Sequence, residues 1–441
     1  MSAPLSLAEI LRWLREDDPR RLAELWRMAD ETRRAHVGDA VHLRGLVEIS
    51  NHCVRQCGYC GLRLGNRPLT RYRMSAEEIL AAAQQAVKFG YGTVVMQAGE
   101  DPGITLDWMA DVIRQIKSQT PLAVTLSLGE RSDSELAAWR AAGADRYLMR
   151  FETSDRALFD FIHPPLGNQP SDRIALLRRI KALGYETGSG IMIGLPGQTY
   201  ESVANDIALF RELDLDMIGI GPFIPHPATP LGSARGSRAE SGGPPDSRPT
   251  DSTALKEARE TAVEPLTPSL SPSDGERVPA RAGEGSSAGS PIFHGFGSLG
   301  LENGVGETKC SAGRRTPHAS GVRSPDQIPA TELMVYKAVA LTRLVRPDAN
   351  IPSTSALATI NKRNGRELGL QRGANVFMPN LTPIRYRRLY EIYPAKACID
   401  ETGDQCNGCL QIRISGLGRH VGQGQGGRRR RAATNEPLSH E

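Results

Sequence analysis

Between Val41 and Met378, short apolar runs alternate with amphipathic stretches, and no other feature of the 441-residue chain narrows its fold so far. Runs at Val41–Ser50, Thr93–Gln97, Leu122–Ser127, Arg146–Arg150, Glu186–Ile193, Met217–Gly221, Asn350–Ser353 and Ala374–Met378 have the length and apolar content of buried strands. Between them, Leu106–Ser118, Ser132–Ala142, Asp172–Leu183, Tyr200–Glu212 and Thr331–Val345 repeat apolar residues at helical spacing, and a shorter helix starts over Gly365–Gly369. Ser75, followed three residues on by Glu78, makes a capping box for one more helix. Such alternation builds parallel βα units, and eight of them close into a TIM (β/α)8 barrel, an α/β fold. An open doubly wound sheet is disfavoured because no Gly-rich dinucleotide fingerprint follows the first strand. In an α/β barrel the reactive side chains lie just beyond the C-terminal ends of the strands.

The pattern also divides the chain. Residues 1–40 form an N-terminal helical cap, with Leu and Trp recurring among Arg and Glu from Leu5 to Val37. The barrel occupies 41–231 and is completed over 330–397. Residues 232–329 are rich in Ser, Gly, Pro, Ala and Arg, poor in large aliphatics and without period, so they are expected to be a long disordered insertion. It leaves the barrel after the sixth strand, on the active-site face, and carries Cys310 as an incidental thiol; a neutral insertion is the expected role. Residues 398–421 follow as a cysteine-bearing segment, and 422–441 as a disordered basic tail containing the run Arg428–Arg431.

The charge is nearly balanced at +4 and aromatics make up 5%, so neither nucleic acid nor a membrane surface is called for as a partner. Met1–Glu16 lacks the apolar core of a secretory signal, and the expected location is the cytoplasm. Of the 7 cysteines, six fall into two triplets, Cys53, Cys57, Cys60 and Cys398, Cys406, Cys409. Triplets within one loop suit a metal or cluster in a reducing compartment better than a disulfide framework.

Cys53, Cys57 and Cys60 form C-x3-C-x2-C directly after the first strand. Three thiolates can hold three irons of a 4Fe-4S cubane and leave the fourth open to a chelating amino and carboxylate group. A zinc site is the competing reading, but structural zinc takes four ligands, usually from C-x2-C pairs.

This loop resembles the motif of the radical S-adenosylmethionine (SAM) superfamily. Within that superfamily, Ile49–Cys53, Arg71–Met74, Val95–Asp101, Arg150–Thr153, Ser189–Gly197, Ile218–Pro227 and Gly373–Asn380 are similar to the biotin synthase-like family of FeFe-hydrogenase maturases known as HydE. The likeness spans Leu5–Leu231 and Thr331–Val421. It implies an enzyme that reductively cleaves SAM to a 5′-deoxyadenosyl radical acting on a small iron-bound precursor of the hydrogenase di-iron subcluster. It further implies an electron donor and the other maturation proteins as partners. By the same resemblance Tyr59 flanks adenine, Gln97, Gly99 and Glu100 receive the SAM amino group, Glu152 takes the ribose hydroxyls and Arg150 an anionic group. Arg173 meets the methionyl carboxylate, and Tyr390 and Tyr393 close the cavity. His226, Thr354 and Ser355 are candidate substrate contacts, His226 being equally readable as a packing residue of a rigid loop. Cys398, Cys406 and Cys409 match an accessory 2Fe-2S or 4Fe-4S site. Biotin synthase would need further cysteines in the barrel, and Gly61–Leu231 has none. Methylornithine synthase is the alternative.

Overall fold

A computed structural model describes residues 5–233 and 326–428. Most of the expected insertion, with Cys310, lies outside them, as does the tail beyond 428.

Among the described residues, seven parallel strands form the main path of the sheet: β1 (Ala40–Ser50), β2 (Thr93–Ala98), β3 (Ala123–Ser127), β4 (Arg146–Leu148), β5 (Glu186–Ile193), β6 (Met217–Pro222) and β7 (Val376–Phe377). Their order is β6-β5-β4-β3-β2-β1-β7, each step a parallel ladder. Asn350–Ser353, expected as the seventh strand, instead makes single bridges, Asn350 to Met217 and Pro352 to Val376. Pro352 has no N–H to give a ladder. The segment still joins the two ends of the sheet: Ile218 N donates to Asn350 O at 2.9 Å, and Ser353 N to Val376 O at 3.0 Å. The barrel therefore closes through backbone that is not itself a regular strand.

The expected helices form where their caps are written. Ser75 and Glu78 make the reciprocal capping box of Ala76–Lys88, and Ser132 with Glu135 does the same for Asp133–Ala141. In the cap, α1 (Leu7–Arg15) starts at a Ser6–Glu9 box, and α2 (Pro19–Val37) has Asp18 as N-cap and proline in its first turn. Helix α1 buries Ile10, Trp13 and Leu14 against the helices Tyr200–Glu212 and Glu332–Val345, so the cap is part of the barrel's core. Among the described residues, Arg156–Ile162, Ser355–Ile360 and Gly403–Ser415 are helices without a sequence expectation. None of the described helices is long and apolar enough to cross a membrane.

Two expected boundaries move. Residues just before 330, expected in the insertion, pair with the barrel: Gln327 bridges Thr199, and the buried Ile328 donates to Gln198 O at 2.9 Å. Residues 422–428, expected in the tail, pack on the barrel. A short strand, β8 (His420–Val421), pairs with the start of β1, and the chain then runs across the N-terminal end of the barrel. There Arg44 Nη2 donates to Gly426 O at 2.9 Å and Arg146 Nη2 to Gln425 O at 3.0 Å. Arg428, expected in a solvated basic run, pairs with Asp214 at 2.8 Å, Asp216 at 3.0 Å and Asp348 at 2.7 Å. Buried guanidinium groups need acceptors, and glycine-rich backbone brings its carbonyls close enough to serve.

Candidate active site

Beyond β1 the chain turns into the cysteine loop, which is pinned from several directions. Arg73 and Ser50 both reach Asp101, each at 2.6 Å, tying the start of the loop to the end of β2. Arg71 donates to Leu62 O at 2.8 Å and Arg63 O at 2.9 Å, so one guanidinium gathers the carbonyls of the loop's far side. Val54 N donates to Glu100 O at 3.0 Å, Gly58 N to Ile162 O at 2.7 Å and Gly61 N to Ile392 O at 3.1 Å. The result is that Cys53, Cys57 and Cys60 line one cavity of about 330 Å³ at the C-terminal ends of the strands.

Tyr59, Gln97, Gly99, Glu100, Arg150, Glu152, Arg173, Thr354, Ser355, Tyr390 and Tyr393 line the same cavity. Gln97 Nε2 donates to the Tyr390 hydroxyl at 3.1 Å, and the Ser355 and Tyr393 hydroxyls are 3.1 Å apart, so both tyrosine rings are fixed as walls. Arg173 opens its helix beside Glu130, 3.0 Å away, and donates to Arg150 O at 2.8 Å. Two expected sites fall outside. His226 does not line the cavity; its Nδ1 accepts from Ala228 N at 3.1 Å and its ring packs on Gly61, which makes it a loop-packing residue. The second triplet is also elsewhere: Cys406 and Cys409 sit one turn apart on Gly403–Ser415, with Cys398 in the preceding loop.

Glu152 reaches the cavity by a route that strand alternation does not supply, because β4 ends at Leu148. Its φ is +64°, a left-handed conformation costing a non-glycine residue about 1–3 kcal/mol. Arg150 Nη2 lies 3.1 Å from Glu152 Oε2, off the line of a hydrogen bond, and neither that buried oxygen nor Arg150 Nε has a hydrogen-bond partner. Burial raises the Glu152 carboxyl's pKa, with Arg150 and Arg173 pulling it back. A strained carboxylate with an orphaned oxygen facing a cavity awaits a donor from a ligand.

Asp206 supports this stretch from the helix Tyr200–Glu212, accepting from both Ser154 N and Ser154 Oγ. Burial pushes its carboxyl up to about 7, Ser154 working against the rise. Because the folded pKa is raised, the associated stability is present below the unfolded value and lost as pH climbs through 7. The expected loss is up to about 1.4 kcal/mol per unit between about pH 4 and 7, with no slope above. Urea unfolding across that range should show this component in the parent chain and not in Asp206→Asn.

Sequence reasoning missed Arg44, Glu48, Arg55 and Lys396. Arg55 pairs with Glu100 at 2.5 Å and Glu130 at 3.0 Å. Glu48 and Lys396 form a buried ion pair, Asn380 donating to the other Glu48 oxygen at 3.0 Å. Arg44 is wholly buried, its pKa pushed down to about 9 by desolvation and by Arg146. The lining thus holds five cationic side chains against three carboxylates, an excess that favours thiolates and an anionic ligand.

Burial lifts all three thiols, Cys57 to about 12 despite the pull of Arg173, so without a bound metal they remain protonated. A metal centre would supply the positive charge they need, which is how a thiol site couples deprotonation to metal binding. Among the described residues no three His, Cys, Asp or Glu side chains converge on a single metal ion. Separate thiols around one cavity fit a cluster, whose ligands attach to different irons, better than zinc.

Known proteins give the same direction. Residues 47–210 match the model of the radical SAM superfamily. The chain is 37% identical to the [FeFe] hydrogenase maturase subunit HydE of Thermotoga maritima, over 92% of this chain and 89% of that protein. It is 27% identical to the 3-methylornithine synthase of Methanosarcina acetivorans, over 48% of this chain and 59% of that one. The crystal structure of methylornithine synthase PylB superposes with a TM-score of 0.64 at 18% identity, covering 96% of this chain and 95% of that one, which shows a shared fold.

Proposed function

Because the chain belongs to the HydE family of radical SAM [FeFe]-hydrogenase maturases, we propose that its cavity is where SAM is held against a 4Fe-4S cluster bound by Cys53, Cys57 and Cys60. One observation carries this reading: the three thiols open on the same cavity as Glu152, whose backbone is strained and whose Oε2, beside Arg150, has no hydrogen-bond partner. When bound, the cluster supplies one electron to the sulfonium, and SAM supplies the 5′-deoxyadenosyl radical that acts on a small iron-bound precursor.

The protein's own contributions follow from its side chains. Tyr59 and the backbone at Gln97, Gly99 and Glu100 bound the SAM side of the cavity. Arg173 and Arg150 offer guanidinium charge to carboxylates, and Glu152 Oε2 accepts hydroxyl donors. Tyr390 and Tyr393, held by Gln97 and Ser355, close the wall against water, and Thr354 and Ser355 present hydroxyls to the precursor. Cys398, Cys406 and Cys409 are proposed as an accessory 2Fe-2S or 4Fe-4S site, supported by the Arg413 Nε that donates to Cys409 Sγ at 3.2 Å. The cytoplasm, an electron donor and the other maturation proteins complete the setting.

The test is anaerobic reconstitution and dithionite reduction followed by assay of SAM; absence of 5′-deoxyadenosine sinks the proposal. Maturation of apo-hydrogenase in a mixture lacking only this component tests the pathway assignment. Glu152→Gln removes a charge-assisted acceptor worth about 1.5–3 kcal/mol and should weaken SAM binding by about 10- to 100-fold by calorimetry, with far-UV dichroism unchanged.

A further inference from the structure

Between Asn51 and Met74 the chain carries five arginines and no Asp, Glu or Lys. Two of the five are neutralised: Arg55 by Glu100 and Glu130, and Arg73 by Asp101. The other three are not. Arg71 is spent on backbone carbonyls of the loop, and Arg63 donates only to Gln56 O at 3.3 Å. Among the described residues no ion pair reaches Arg63, Arg67 or Arg71. The carboxylate of Glu391, whose backbone packs on Gly61, faces His226 at 3.7 Å. Between Arg63 and Arg67 stands Leu64, 53% exposed. Leu64 N donates to Arg55 O at 2.9 Å, so this tip belongs to the same loop that carries the three cysteines.

Folding accounts for Arg71, which holds the loop's carbonyls, but not for the two uncompensated guanidiniums of Arg63 and Arg67 beside an exposed leucine, in a chain whose formal net charge is only +4. Arginine around an exposed apolar side chain is what recognition surfaces are made of. Electron transfer weakens steeply with distance, so a protein that reduces the cluster must seat on the face next to its ligands. We propose that the face formed by Arg63, Leu64, Arg67 and Arg71 docks an acidic one-electron carrier protein; this rests on the cluster assigned to Cys53, Cys57 and Cys60. In the step it serves, the reduced carrier loses one electron and the oxidised cluster gains it, with no bond made or broken. Charge complementarity identifies the occupant, since an acidic face brings the counter-charge the loop lacks and steers the encounter.

The probe is an acidic flavodoxin, with the full chain reconstituted anaerobically. Parent, the double variant Leu64→Ser with Arg67→Glu, and Arg67→Lys are compared. Two quantities are read: the flavodoxin Kd from titration at low and high salt, and 5′-deoxyadenosine formation driven by reduced flavodoxin or by saturating dithionite. Docking here predicts parent binding that weakens with salt, and a Kd raised about tenfold or more in the double variant. Flavodoxin-driven product should fall in parallel, dithionite-driven product should stay constant, and Arg67→Lys should behave as parent. Equal loss with both reductants makes the loop merely structural and overturns the proposal. Unchanged flavodoxin binding overturns it as well. A parent that makes no product with dithionite refutes the cluster assignment instead, and the titration then still decides whether the face binds.

Discussion

Cys57→Ala is expected to abolish 5′-deoxyadenosine formation, while Cys406→Ala leaves it within about threefold of the parent. The contrast follows from where the thiols lie. Cys57 lines the cavity with Cys53 and Cys60, and no other cysteine among the described residues does. With one of three ligands gone, an open-corner cluster has no spare donor, and the cationic lining loses an anion that balances it. Cys406 faces a different neighbourhood. Its thiol is hydrogen-bonded to Cys398, which lowers its pKa, and it is buried on a helix outside the cavity lining. Iron content separates the two sites: Cys57→Ala should lose the cavity's complement, and Cys406→Ala only iron bound at the second triplet. The measurement is product formed with dithionite and SAM, alongside iron and sulfide per chain. Equal loss of product in both variants would show that the second triplet feeds the reaction and would overturn the ranking of the two sites.

How much of this was readable from residues alone depends on how local the cause is. Caps are local: Ser75 with Glu78, Ser132 with Glu135 and Asp18 before Pro19 each start a helix where a few neighbouring residues say so. The cysteine loop is local too, and its place after the first strand puts it at the mouth of a barrel. What stayed hidden depends on residues far apart in the chain. Glu48 and Lys396 meet across the cavity from opposite ends of the sequence, and nothing near either announces the other. The closing segment at Asn350–Ser353 looked like a strand because its pattern matched, yet one proline reduces it to bridges. The Gly-rich stretch from Gly422 lacks any apolar period and so reads as tail. It is ordered because its carbonyls answer Arg44 and Arg146, a demand set by side chains hundreds of residues earlier. His226 is an even choice on sequence; only its long-range contact, the ring against Gly61 and outside the cavity lining, speaks for packing.

Gly99→Ala should cost about 10²-fold in SAM cleavage without unfolding the chain, and the reason joins the fold to the chemistry. A Cβ at Gly99 would lie 2.2 Å from His52 O and 2.8 Å from Cys53 Cβ. The first of these is backbone, which cannot swing aside as a long side chain does. Either β2's end or the start of the cysteine loop must move, and β2 is held by ladders on both sides, to β1 and β3. The loop is the weaker partner, so the displacement falls on His52 and Cys53 and carries the first thiol out of register with the other two. Barrel stability should change little, because the clash is relieved outside the sheet. Three measurements check this in Gly99→Ala: the thermal midpoint, iron bound after reconstitution, and the dithionite-driven rate. The expected pattern is a midpoint near the parent's with iron and rate both depressed. A full rate with full iron would mean that the close approach at Gly99 does not position Cys53, while a collapsed midpoint would mean that the glycine serves the barrel and not the loop.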